Sequence, residues 1–178
     1  MLQLLEKGRI CMYKIGDYIV KPAKGICKVE DILHLDMPGV DKKRMYYLLI
    51  PTNDAAGKIY MPTDTKDTHV RKVISESEAQ KLIDEIPLIE ELKISNERMR
   101  EQTYSDAVKS GDPHRLIAVI KTLYIRRKKR EKMGRKSTVV DERYFALAED
   151  TLYSELEVAL EKDHAEIYQM ICERCEKD

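Results

Sequence analysis

A change of rhythm at Ser75 limits what this chain can fold into. Before it, short runs of β-branched and aromatic residues are punctuated by proline and glycine; after it, apolar residues recur at three- and four-residue spacing. Upstream, Tyr18-Ile19-Val20, Ile26 to Leu35, Arg44 to Ile50 and Lys58 to Met61 read as strands. Turns fall at Lys21–Gly25 and Met37–Gly39, a loop at Asn53–Gly57, and Pro51 and Pro62 close two of the strands. Short strands so spaced predict a small antiparallel barrel. Downstream, Ser75-Glu76-Ser77-Glu78 is a capping box that opens a helix through Ala79, Leu82, Ile83 and Ile86, ended by Pro87.

Four more helices are predicted. One spans Asn96 to Lys109, with Ser95 as cap and Gly111 as stop. The next starts at Asp112-Pro113, an N-cap carboxylate followed by a proline at the first helical position. Its apolar face is Leu116, Val119, Ile120 and Leu123. Thr138-Val139-Val140-Asp141 reads as a second capping box, opening a long helix through Phe145, Ala148, Leu152, Leu156 and Ala159. A final helix starts at Asp163 or His164 and runs through Ile167, Ile171 and Cys175. The boundary between the two grammars lies near residues 70–76. Met12 directly precedes YKIGDYIVKP, so the expected native start is Met12, with 1–11 a lead-in.

Charge is where composition becomes informative. Lys and Arg equal Asp and Glu at 32 each, so the formal net charge is zero. Yet Arg126, Arg127, Lys128, Lys129, Arg130, Lys132, Arg135 and Lys136 are interrupted by a single acid, Glu131. A neutral sum with one concentrated basic run is a local electrostatic site. Such a run either forms a solvated helix end, where cations suit the helix dipole, or contacts phosphate. Eight bases so close repel one another unless an anion neutralises them. With about six phosphate contacts, affinity falls roughly a thousandfold between 50 and 200 mM salt.

Other chemistry has less support. Cys11, Cys27, Cys172 and Cys175 lack framework spacing. Cys172-x-x-Cys175 lies in a helical context without a second ligand pair, and reads as terminal-helix thiols in preference to a zinc or redox site. His34, His69, His114 and His164 are isolated, the carboxylates fall mostly on solvated helix faces, and no glycine-rich phosphate loop, G-x-S-x-G or H-E-x-x-H occurs. The expectation is a non-enzymatic chain without cofactor or metal. No signal peptide or membrane span is evident, so a cytoplasmic protein with reduced thiols is expected.

Strand Lys58–Met61 is either an ordinary sheet strand or an edge left open for another protein, with Arg44, Met45, Tyr46 and Tyr47 beside it. Here the chain resembles a known family. YKIGDYIVKPAKGICKVEDI, then YYLLI, IYMP and HVRKVIS, is similar to the N-terminal module of CarD/CdnL-type bacterial transcription regulators. SGD, the run Val119 to Tyr124, and Ala148 to Leu156 resemble their helical C-terminal domain.

The resemblance implies an α+β protein: a small N-terminal Tudor/SH3-like antiparallel barrel over 12–75, then an all-α domain over 76–178. It implies that the barrel binds the RNA polymerase β subunit by strand addition through Arg44, Tyr47, Lys58, Ile59, Tyr60 and Met61. The helical domain would contact promoter DNA and affect open-complex formation or stability, with Arg98, Arg100 and the run from Arg126 to Lys136 at the phosphates. Three departures stand out. Cys27 replaces the second glycine of the barrel turn, Tyr60 an arginine of the docking strand, and Glu97 a tryptophan that relatives wedge into the minor groove. A carboxylate cannot act as an apolar wedge. The expected protein is a monomer that binds RNA polymerase and DNA. Alternatives are polymerase docking without DNA wedging, and a thiol or zinc protein.

Overall fold

Two-residue alternation, punctuated by Pro38, Pro51 and Pro62, shapes the first half. A computed structural model describes residues 12–21, 24–65 and 70–175. Five strands, β1 Tyr18–Lys21, β2 Gly25–His34, β3 Met45–Pro51, β4 Ile59–Pro62 and β5 Arg71–Lys72, form one antiparallel sheet in the order β4-β3-β2-β1-β5. All four sequence-predicted strands thus begin and end within a residue of their expected bounds. The expected barrel is an open sheet instead: among the described residues β4 and β5 each pair on one side only. The lead-in at 1–11, the centre of the Lys21–Gly25 turn and His69 lie outside the described residues.

A bulge in β2 decides which side chains reach the core. Pairing passes from Val29 opposite Leu49 to Asp31 opposite Leu48, leaving Glu30 as the extra residue. The phase therefore flips. Ile32, opposite Tyr47, packs on the core and Asp31 points to solvent. One face of the sheet buries Tyr13, Ile19, Cys27, Val29, Tyr47, Leu49, Met61 and Val70 together. Cys27 is wholly enclosed there, and burial pushes its thiol up from its ordinary value. Val20 and Ile26, paired across β1 and β2, are buried on the opposite face, where the helices lie.

The second half holds α1 Glu76–Glu85, α2 Arg100–Lys109, α3 Pro113–Lys132, α4 Val139–Leu160 and α5 His164–Cys175. Their buried faces share one core, with Leu82, Ile83, Tyr104, Leu116, Val119, Leu123, Ala148, Leu152, Leu156 and Ile167 at its centre. Ser75 and Glu78 form the predicted reciprocal capping box. Asp112 caps α3 by accepting from the N–H of His114 at 2.8 Å and of Arg115 at 3.2 Å. Gly111 lets α2 turn sharply into α3 at φ +64°, and Gly134 ends α3 at φ +68°.

Two local expectations need correction. The second predicted helical stretch begins as a 3-10 turn, Glu97–Met99, capped by Asn96 and not by Ser95. Asn96 has extended backbone and its Oδ1 accepts from the N–H of Arg98 at 2.9 Å, which Ser95 is one residue too far back to do. Thr138 caps α4 by accepting from the N–H of Asp141 at 3.1 Å, but the box is not reciprocal. The Asp141 carboxylate turns inward to two arginines instead.

An ion pair fastens the sheet to the helices. Arg71 on β5 donates to both oxygens of Glu155 on α4, at 2.5 and 2.8 Å, and its Nε donates to the Gly111 carbonyl at 3.2 Å. Glu155 also accepts from the Ile74 N–H at 3.1 Å and is fully buried. With Asp141 it is an exception to the expectation of solvated carboxylates.

Candidate functional site: the open sheet edge and the basic helix

Among the described residues, strand β4 pairs with β3 alone and leaves its other backbone edge without a strand partner. Its register with β3 places Met61 opposite Tyr47 and Tyr60 opposite Leu48. Tyr47 and Met61 therefore point into the core, at 0% and 4% exposure. Tyr47 also accepts from the Tyr13 N–H through its hydroxyl at 3.1 Å. These two expected contact side chains are structural; the reason is the pleat, which turns alternate residues to opposite faces. Tyr60 is 40% exposed, Lys58 is exposed and Ile59 is half-buried. Arg44, just before β3, is held by Asp64 at 2.7 Å and lies over the Tyr46 ring at 6.0 Å.

The basic run occupies the end of α3 and the turn into α4. Part of the run is neutralised by carboxylates of the protein itself. Arg127 pairs with Glu142 at 2.8 Å and lies over the Phe145 ring at 4.5 Å. Lys128 sits 3.5 Å from Glu131. Arg130 donates to the Lys136 carbonyl at 2.7 Å. Among the described residues no carboxylate pairs with Arg98, Lys129, Arg130, Lys132, Arg135 or Lys136.

Arg100 and Arg126 differ from the others. Asp141, only 4% exposed, accepts from Arg126 Nε at 3.1 Å and lies 3.5 Å from Arg100 Nε through its other oxygen. Glu97 caps the outer ends of both guanidiniums: Arg126 donates to each of its oxygens, one of them at 3.2 Å, and Arg100 donates at 3.2 Å. The Glu97 carboxylate, against the opposing effect of burial, and Asp141 behind it hold the Arg126 guanidinium above its ordinary value. Behind them lies Tyr104, fully buried, its hydroxyl pushed up by burial and then by the Asp141 charge. Arg100 and Arg126 are far apart in sequence, and no local signal marks Asp141 as their shared partner.

Lys121 and Thr122 also went unmarked. Lys121 donates to the carbonyls of Pro87 and Ile89 at 3.0 and 2.8 Å, and Thr122 accepts from the Leu92 N–H at 2.8 Å. Two neighbouring side chains of α3 thereby pin the irregular segment after α1. Cys172 and Cys175 are free thiols, and the described residues hold no group of three or more His, Cys, Asp or Glu arranged for a metal ion. His114 meets Glu85 at 3.0 Å, and His164 stacks on Tyr153 at 4.2 Å. No helix among the described residues is long and apolar enough to cross a membrane.

An α+β chain whose prominent features are an open strand edge and a charged helix rim has the surfaces of a protein that binds macromolecules. A family model for the CarD-like/TRCF RID domain matches residues 13–74, and one for the CarD C-terminal domain matches residues 81–172. The chain belongs to the CarD family. These domains mark a transcription-associated regulator that interacts with RNA polymerase, of a kind generally without enzymatic activity. No curated protein matches the chain.

Proposed function

We propose that residues 12–75 form a Tudor-like unit that docks on the β subunit of RNA polymerase by adding β4 to a strand of that subunit. The observation that carries this is the unpaired outer edge of β4, with Lys58, Ile59 and Tyr60 beside it and Arg44 at the neighbouring strand. Main-chain hydrogen bonds along such an edge supply affinity, and the outward side chains supply specificity. Tyr47 and Met61 contribute by holding the strand in place. Retention of RNA polymerase β subunit on the immobilised chain tests the docking. The expected result is retention at low salt, weakened by Lys58→Glu combined with Tyr60→Asp; no retention by the unaltered chain would sink it.

Residues 76–178 then meet promoter DNA as a tethered unit. Docking raises the local concentration of the basic rim, so its own affinity for DNA can be weak. Arg98, Lys129, Arg130, Lys132, Arg135 and Lys136 are the bases free for phosphate, and contact there modulates the formation or stability of the open complex. The protein acts as a cytoplasmic monomer in this reading. About six phosphate contacts give a roughly thousandfold loss of affinity between 50 and 200 mM salt. Charge reversal at Lys129 and Arg130 is expected to remove the chain's effect on promoter opening.

A second reading keeps the polymerase contact and drops groove insertion. It is favoured by Glu97, which is ion-paired to Arg100 and Arg126 where relatives carry an apolar wedge.

A further inference from the structure

The two arginines around Glu97 have an inner and an outer end. Inside, Asp141 offers one carboxylate oxygen to each Nε. It is nearly excluded from solvent; it orients the Arg126 guanidinium through a hydrogen bond at 3.1 Å and holds Arg100 by charge at 3.5 Å. Outside, the carboxylate that meets the terminal nitrogens among the described residues is Glu97, whose side chain is 56% exposed. Arg98, without a carboxylate partner, is the next residue, and the basic run starts at Arg126 itself.

A pair this exposed adds little to stability, so stability is a weak reason for a carboxylate at this position. Carboxylate and phosphate, however, engage a guanidinium fork in the same bidentate manner. Three buried polar atoms at the inner end, Arg100 Nε, Tyr104 Oη and Asp141 Oδ1, lack a hydrogen-bond partner. The inner half is thus buried, polar and incompletely hydrogen-bonded, and the outer half is replaceable.

We propose that Arg100 and Arg126 form a two-arginine phosphate site, positioned by Asp141, and that Glu97 occupies it as an internal phosphate mimic. Glu97 keeps a phosphate out, so these two arginines are silent in DNA contact while the exposed bases beyond them act. This specifies the phosphate reading of the basic rim given above, and rests on it for its role at DNA.

Two arms test it on the full chain, comparing the unaltered protein with Glu97→Gln and Glu97→Ala. The first uses inorganic phosphate alone and follows the Nε–H resonances of Arg100 and Arg126 by NMR. Saturable shifts are expected in both variants and not in the unaltered chain. The second follows a short DNA duplex by fluorescence anisotropy from 50 to 200 mM salt. Removing Glu97 is expected to tighten binding about fivefold at 50 mM and to steepen the log–log salt slope by about 0.9, one added phosphate contact. Glu90→Gln, an exposed acid paired only with Lys93, controls for net charge and should leave the slope unchanged.

A negative phosphate arm in folded variants overturns the site even where the unaltered chain binds DNA. A positive phosphate arm with no duplex binding by any form leaves the site standing and removes the DNA reading. Variants that only lose thermal stability, with no phosphate response, make Glu97 a structural partner and overturn the proposal.

Discussion

Replacing Arg71 by methionine should show how firmly the sheet is fastened to the helices. Arg71→Met keeps the length of the side chain and removes the charge opposite Glu155. That carboxylate is fully buried and would keep only the Ile74 N–H at 3.1 Å. The Gly111 carbonyl would lose its donor as well. Breaking a buried pair by removing one partner costs about 3–5 kcal/mol. The Arg71 side chain is 29% exposed, so water can reach the gap and the lower end, about 3 kcal/mol, applies. For a chain of this length that is a fall in melting temperature of about 6–12 °C. The double replacement Arg71→Met with Glu155→Leu removes the stranded charge and should return to within about 1 kcal/mol of the unaltered chain. Urea unfolding at pH 7, followed by circular dichroism, measures all three. A single replacement costing under about 1 kcal/mol, or a double as unstable as the single, would refute the fastening role.

Other outcomes follow from named groups. The N–H and then the hydroxyl of Ser75 hold the Glu78 carboxyl below its ordinary 4.5, so the cap's contribution is present above about pH 4.5 and is lost as pH falls through the lowered value. The Ser75 amide resonance in an acid titration reads this, and Ser75→Ala should cost about 1 kcal/mol in thermal unfolding. Burial, with the Glu149 charge next, pushes the Tyr153 phenol up from 10 to about 12. Its contribution to stability is full below pH 10 and is lost as pH rises through 12; an absorbance titration should show a tyrosine ionising near 12 that Tyr153→Phe removes. Glu161 ends α4 in the left-handed region at φ +52°. Glu161→Gly should raise stability by about 0.5–1 kcal/mol in the same urea assay.

Much of the fold was legible because its signals are local. Ser75 with Glu78, and Asp112 with Pro113, announce their helix starts within four residues, since a cap needs only its own first turn. Proline and glycine bounded the strands for the same reason. The bulge at Glu30 was not legible, because phase along β2 depends on its partner β3. Closure of the sheet was misjudged likewise: strand count is local and edge pairing is not. The β4 edge was legible as a candidate, whereas the inward turn of Tyr47 and Met61 needed the register.

The basic run divides along the same line. Its existence, its place at the end of a helix and the amphipathic face before it belong to the sequence, because composition and a 3.6-residue period suffice to show them. Lys128 meets Glu131 within its own helix, but which of the other charges remain free was decided by tertiary structure. Glu97 lies 29 residues from Arg126, Glu142 lies 15 from Arg127, and Glu155 lies 84 from Arg71. Attraction between charges depends on distance in space and on exclusion of water, and neither is written in the order of the residues.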